Sequence, residues 1–240
     1  MTRAMPFLHV RHAAAWVQVF ALLLILFGSA PARAACTDYP APGVDWSGDC
    51  EKRRLVFRGA DLKNARLAGA DMGRSDFFKA QLVGADLTRA SLDQTRFSEA
   101  DLSGAKLVQA TAHRTNFTGA KLIGADLSKA ELSRANFTRA DLSNANFDRA
   151  ELQRAILQDA TLNGANLTGA DLGRADLSKA RFPGASLAKA DLSLARLEGA
   201  DLSGALGLAQ LQLDRACGDA TTRLPTGVVR PTGWPCRLQE

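Results

Sequence analysis

The side chains with chemical reach in this chain are few, and their spacing is regular. Past the first dozen residues the only imidazole is His113. No second His, no Cys/His pair and no base beside a recurring Ser or Thr accompanies it, so a proton relay or an activated nucleophile lacks its parts. There is no G-x-S-x-G elbow, phosphate-cradling loop or His-rich metal spacing. The four cysteines, Cys36, Cys50, Cys217 and Cys236, form no C-x-x-C pair, which argues against zinc. Neither catalytic residues nor a cofactor or metal site is expected. What remains is charge. Asp71, Glu131, Glu151, Asp171 and Asp191 recur in register, and Arg74, Arg134, Arg154 and Arg174 stand three residues after the first four. Arg114 belongs to the same Arg series but has Thr111 in place of an acid, and His113 and Ala112 stand beside it. Two readings follow. The pairs form a solvated ladder that relieves like-charge repulsion, each worth about 0–1 kcal/mol. Alternatively the Arg series and His113 form an interaction face whose rigid forks recognise acidic groups, with Arg114 as the unpaired donor.

Either reading requires an element that brings residues twenty apart into line. From Leu55 to Gly204 the chain reads as 30 consecutive five-residue units. The first residue is Ala in 26 of them, and the third is Leu, Phe or Met in all but one, Ala112. On an α-helix, five residues would step the Leu positions around the axis and line no face. On a straight strand, an odd period would alternate them between sides. Within one unit, however, Ala and Leu are two apart and point the same way if that piece is extended. A short extended piece followed by a corner, repeated, winds a coil with Ala and Leu or Phe inside.

Slower patterns set the size of the coil. Phe57, Phe77, Phe97, Phe117 and Phe137 are spaced by twenty, and Ser75, Thr95 and Thr115 replace the inward Ala at the same interval. So are Arg74, Arg114, Arg134, Arg154 and Arg174, with Gln94 at the missing step. Four units therefore close one coil. A further series, Asn64, Gly84, Gly104, Gly124, Asn144, Gly164, Gly184 and Gly204, holds residues that tolerate the positive φ of a type II turn. Corners carrying Arg, Lys, Gln or Glu are expected mostly to turn without positive φ. Each inward Leu or Phe contributes roughly 1.5–3 kcal/mol. Ala112 should leave a void or a narrowed coil, a weak point of about 2–5 kcal/mol against Leu.

The run of A-[DN]-[LF]-x-x units resembles the pentapeptide-repeat proteins. That resemblance implies an all-β fold, a right-handed quadrilateral β-helix with four pentapeptides per coil. Thirty units give about 7.5 coils. Some members of that family are acidic DNA mimics that protect gyrase, and this implies a strongly negative rod. Here residues 51–206 carry 23 basic and 19 acidic side chains, the wrong sign for such a mimic.

The flanks fit an exported solenoid. Arg3 and Arg11, an apolar run over 13–27 and the small-residue site Ala32-Arg33-Ala34 order themselves as a secretory signal peptide. The run is shorter than the ~20 residues of a membrane span, and Arg33 opposes lipidation at Cys36. The organisation expected is a signal peptide over 1–34, an N-terminal cap over 35–54, the solenoid over 55–204 and a C-terminal cap and tail over 205–240. Cleavage leaves 27 basic against 25 acidic residues, so neither nucleic acid nor an anionic membrane is called for. Export permits disulfides, and flanks at opposite ends of a rod favour Cys36–Cys50 and Cys217–Cys236. Leu206, Leu208, Leu211 and Leu213 suggest one short helix. The function expected is a periplasmic or extracellular scaffold for an unidentified protein or polymer.

Overall fold

The computed structural model describes residues 36–235; the signal-peptide reading and Cys236 lie outside them. Single-residue parallel bridges join positions twenty apart without a break from Glu51↔Asp71 to Ser186↔Leu206. Before that run Asp45 pairs with Arg66, and after it Arg196 pairs with Cys217 and Asp201 with Arg223. The coil of twenty residues expected from the Phe spacing is therefore the repeat of the solenoid.

Each unit distributes its backbone groups in one way. The N–H of the second residue reaches the preceding coil (Gln81 to the Ala60 carbonyl, 2.9 Å) and that of the third reaches the next (Leu62 to Gln81, 2.7 Å). The corner is a turn closed by the first residue of the following unit, as Ala65 N–H to Leu62 carbonyl, 3.1 Å. The fourth N–H has no backbone partner in this scheme. The Asp or Asn at the second position accepts it, as in Ser103 to Asp101 Oδ1 (3.0 Å) and Thr118 to Asn116 Oδ1 (2.9 Å). That local bond explains why the second position is so often Asp or Asn.

The interior follows the pattern. The Ala and Leu/Phe positions are buried along the run, except at its first corner, where Leu55 is exposed and Ala60 half-buried. Phe57, Phe77, Phe97, Phe117 and Phe137 stack with ring centroids 4.8, 5.0, 5.4 and 4.8 Å apart. Trp46 continues the stack beyond Phe57 at 5.3 Å. Phe147 stands on another face and meets Phe137 edge-on at 6.0 Å. Thr95 and Thr115 are tolerated inside because their hydroxyls donate to the Met72 and Leu92 carbonyls at 2.9 and 2.7 Å. Ala112 is buried too, and the turn bond after it, Thr115 N–H to Ala112 carbonyl, is 3.3 Å against 3.0 Å after Leu92 and Leu107.

The corners differ from expectation. Every fifth residue from Arg54 to Gly199 has φ between 54° and 75°, and twenty of these thirty are not Gly. The Arg, Lys, Gln and Glu corners thus use the same left-handed residue as the Gly/Asn corners. Coil geometry decides it: the corner N–H must reach the next coil, as Arg74 does to the Asp93 carbonyl at 2.9 Å. A non-Gly residue there costs about 1–2 kcal/mol. Burial of the adjoining Leu and Ala, together with the bonds between coils, outweighs that cost.

At the start of the solenoid an inward position is taken by Lys52, which lies 4.3 Å from the Trp46 ring and donates to the Cys36 carbonyl. Burial lowers its pKa. Cys36 and Cys50 are disulfide-bonded, with Cα atoms 5.4 Å apart. Cys217 is also disulfide-bonded; its expected pairing reaches Cys236, outside the described residues. At the other end a helix, α1 (Gln210–Asp214), carries Leu211 and Leu213 but not Leu206 or Leu208. Gln212 fastens α1 to the solenoid by donating its amide to the Leu187 and Ala190 carbonyls at 2.9 and 2.8 Å. Among the described residues no helix is long and apolar enough to cross a membrane.

Candidate functional site: an unpaired arginine corner

The bridges bring Arg74, Arg114, Arg134, Arg154 and Arg174 onto one corner. Their φ angles run from 56° to 62°, and each N–H is held by the next coil at 2.8–3.1 Å. Backbone is therefore fixed while the side chains point out and are exposed. Arg54 stands on the same corner, one coil before Arg74, with φ 57°. It is readable by counting back twenty from Arg74, but a repeat boundary set at Leu55 hides it.

The expected acid–Arg pairs across this face do not form. Among the described residues no carboxylate lies within 4.0 Å of a guanidinium nitrogen of Arg74, Arg114, Arg134, Arg154 or Arg174. Asp71 and Asp171 are engaged elsewhere. Asp71 accepts from the Gly73 N–H at 3.1 Å and from Arg53 at 2.7 Å. Burial alone would raise its carboxyl; those two bonds outweigh it and hold the pKa below the usual range. Asp171 accepts from the Gly173 N–H (2.9 Å) and from Gln153 Nε2 (2.6 Å). A short carboxylate two residues from an unpartnered N–H finds it before it finds a guanidinium that leaves the corner in another direction. From Arg114 to Arg174, neighbours on this corner, about 4.8 Å apart by strand spacing, then repel by about 1 kcal/mol each in water, with no carboxylate among the described residues paired to them.

His113 fills a gap in the same face. Thr111 offers no carboxylate, so the His113 N–H turns to Asp93 Oδ1 in the preceding coil at 2.9 Å. Its ring Nε2 lies 3.2 Å from Glu131 Oε2 in the next coil. Ser133 Oγ donates to Gln153 Oε1 at 2.7 Å, so that hydroxyl has no base. Asp93, Gln94, His113, Arg114, Ser133 and Arg134 line an open depression of about 440 Å³. Among the described residues no three of His, Cys, Asp and Glu are grouped to hold a metal ion. The arrangement can bind acceptors through its exposed guanidinium groups.

Across the corner the neighbouring face changes character along the rod. In the coil of Phe77 it is charged and internally paired: Asp76 meets Arg58 at 2.6 Å and Arg96 at 3.5 Å. In the coils of Arg114, Arg134 and Arg154 the corresponding positions are Asn116, Thr118, Asn136, Thr138, Ile156 and Gln158, all uncharged. Asn116 and Asn136 spend Oδ1 on the Thr118 and Thr138 N–H groups, each at 2.9 Å, which leaves their amide NH2 groups as outward donors.

The family model of pentapeptide repeats matches the chain in four stretches, 56–94, 95–134, 130–169 and 165–204. Among curated proteins none matches. Of solved structures, HetL, a pentapeptide repeat protein involved in heterocyst differentiation regulation from the cyanobacterium Nostoc sp. strain PCC 7120, is similar at 29% identity. The match covers 77% of this chain and 88% of HetL, with a TM-score of 0.46. Full-length QnrB1, a plasmid-mediated fluoroquinolone resistance protein, is similar at 20% identity over 77% of this chain and 94% of its own, TM-score 0.38. Rfr23 from the cyanobacterium Cyanothece 51142 is similar at 25% identity over 60% and 90%, TM-score 0.24.

Proposed function

The chain belongs to the pentapeptide-repeat family, and from that premise we propose that it is an exported, non-catalytic scaffold that binds a protein or polymer along its arginine corner. The family fold is a right-handed quadrilateral β-helix, a shape that offers long repetitive faces and no enclosed site. We assign it about 7.5 coils from thirty units, with residues before Leu55 and after Gly204 covering its two ends. Lys52 and the Cys36–Cys50 disulfide on one side, and α1 held by Gln212 on the other, support that assignment. Exposed backbone at an open coil would otherwise invite edge-to-edge association.

The observation that carries the proposal is the set of exposed, unpaired guanidinium groups in register. A solenoid whose charges served solubility alone would gain by pairing them; here Asp71 and Asp171 are diverted to backbone N–H groups and Glu131 to His113. The test is site-specific photo-cross-linking in the producing cell. A cross-linker at position 134 should trap a discrete adduct, and one at position 124, on the Gly/Asn corner, should not. Equal adducts from both corners, or none from position 134, would overturn the proposal.

A further inference from the structure

We propose that the open cavity between α1 and the last turn of the solenoid binds a free α-amino acid with an apolar side chain. The Leu192 N–H, Lys189 and Arg215 receive its carboxylate, Asp191 receives its ammonium group, and Leu211 covers its side chain. The site is independent of the arginine corner.

An orphaned donor marks the place. Between Leu62 and Leu202 every third-position N–H is accepted by a carbonyl of the next coil, except that of Leu192. In the same column Met72, Leu92, Ala112, Leu132, Leu152 and Leu172 donate at 2.7–2.8 Å. Above Leu192, α1 and the residue after it stand in place of the next strand. They restore two of the three bonds that a strand makes. Gln212 Nε2 donates to the Ala190 carbonyl at 2.8 Å, and the Arg215 carbonyl accepts the Leu194 N–H at 2.7 Å. The Leu192 N–H between them has no partner among the described residues, although Leu192 is only 1% exposed. A buried backbone donor calls for an oxygen acceptor.

The surroundings say what carries that oxygen. Leu192 lines a cavity of about 240 Å³ together with Lys189, Asp191, Leu211, Gln212 and Arg215. Neither Lys189 nor Arg215 has a carboxylate within 4.0 Å among the described residues. Asp191 spends Oδ1 on the N–H and hydroxyl of Ser193, at 2.9 and 2.5 Å, which leaves Oδ2 as an acceptor. The Ser193 bonds, and Arg215 after them, hold its carboxyl below the usual range.

Two cations, one anion, a buried donor and an apolar wall suit a zwitterion with an apolar side chain. A simple carboxylic acid would set like charge against Asp191. A simple amine would leave the Leu192 N–H and both bases unmet. Inorganic phosphate would leave Leu211, 62% exposed, uncovered. The cavity is also smaller than the ~300–1,000 Å³ of sites for drug-sized ligands, so it takes one amino acid and not a length of peptide.

The test is titration of the isotope-labelled exported chain with L-leucine, followed by amide NMR. The Leu192 amide should shift in a saturable way and its hydrogen exchange should slow. Leucinamide lacks the carboxylate, isocaproate lacks the ammonium group, and N-acetyl-L-leucine stands for a peptide end; each should bind at least tenfold more weakly. Lys189→Gln/Arg215→Gln should weaken leucine binding at least tenfold, and the Arg215 carbonyl that holds Leu194 is untouched. Asp191→Asn keeps the Oδ1 acceptor for Ser193, so the fold persists; it should weaken leucine at least tenfold and leave isocaproate no weaker. Arg139→Gln/Lys179→Gln, on another corner, changes net charge equally and should leave affinity within threefold. A Leu192 amide indifferent to leucine, equal binding of leucinamide or isocaproate, or unchanged binding in Asp191→Asn would each overturn the inference. N-acetyl-L-leucine binding as tightly as leucine would overturn it too, and assign the cavity to a peptide end.

Discussion

Removing one ring from the aromatic column should separate the worth of stacking from the worth of filling space. Phe97 is fully buried, with its ring 5.0 Å from Phe77 and 5.4 Å from Phe117 and interplanar angles of 16° and 5°. Phe97→Ala removes the ring and leaves a cavity between two fixed coils, which cannot collapse without breaking bonds on either side. The expected cost is about 3–5 kcal/mol. Phe97→Leu is a gentler change, because Leu157, Leu177 and Leu197 occupy the same column in later coils and are fully buried there. It forfeits mainly two aromatic contacts, about 0.5–1.5 kcal/mol each, so about 1–3 kcal/mol in all. Urea unfolding followed by far-ultraviolet circular dichroism measures both variants against the parent chain. A Leu variant as destabilised as the Ala variant would refute the view that the coil accepts Leu in this column. An Ala variant within about 1 kcal/mol of the parent would refute the stacked core.

Three further outcomes are expected. Asp141 accepts from both the N–H and the hydroxyl of Ser143, at 3.1 and 2.6 Å, so Asp141→Asn should be nearly silent and Asp141→Ala should cost about 1 kcal/mol, read by urea unfolding. Gly124 has φ 64°, and nothing lies within 4 Å of the place a Cβ would take. Gly124→Ala should therefore cost about 1 kcal/mol through the backbone alone, and Gly124→Asn less, since Asn64 and Asn144 already occupy that corner; equal thermal shifts for both would count against it. Asp219 has its carboxyl lowered to about 2, chiefly by the Thr221 hydroxyl and against the effect of burial. A depressed folded pKa means that its contribution is complete above the unfolded value of about 3.9 and is lost as pH falls towards about 2. An acid titration followed by Trp234 fluorescence should show that loss in the parent chain and a smaller one in Asp219→Asn; identical profiles would contradict it.

The coil is legible in the sequence because packing repeats at the coil period. Phe57 to Phe137 mark it, and Thr95 and Thr115 mark the same column with a hydroxyl that a buried position must satisfy. The corners are less legible. Propensity alone disfavours Arg, Lys and Glu at positive φ, yet Arg114, Lys129 and Glu99 adopt it because each belongs to a coil whose other groups leave no alternative path. The acid–Arg ladder fails for a related reason. Register correctly places Asp71 near Arg74 and Asp171 near Arg174, but spacing does not reveal that the Gly73 and Gly173 N–H groups lack a backbone partner and are nearer. The arginine corner itself is readable, while the neutral strip at Asn116 and Asn136 acquires meaning only once neighbouring coils show their charges paired.

The scaffold reading depends on where the chain works, and that is open to one direct measurement. N-terminal sequencing of the protein recovered from the periplasmic and extracellular fractions should begin at Ala35 or within one or two residues of it. Recovery of the chain with Met1 intact, in the membrane or cytoplasmic fraction only, would contradict an exported scaffold.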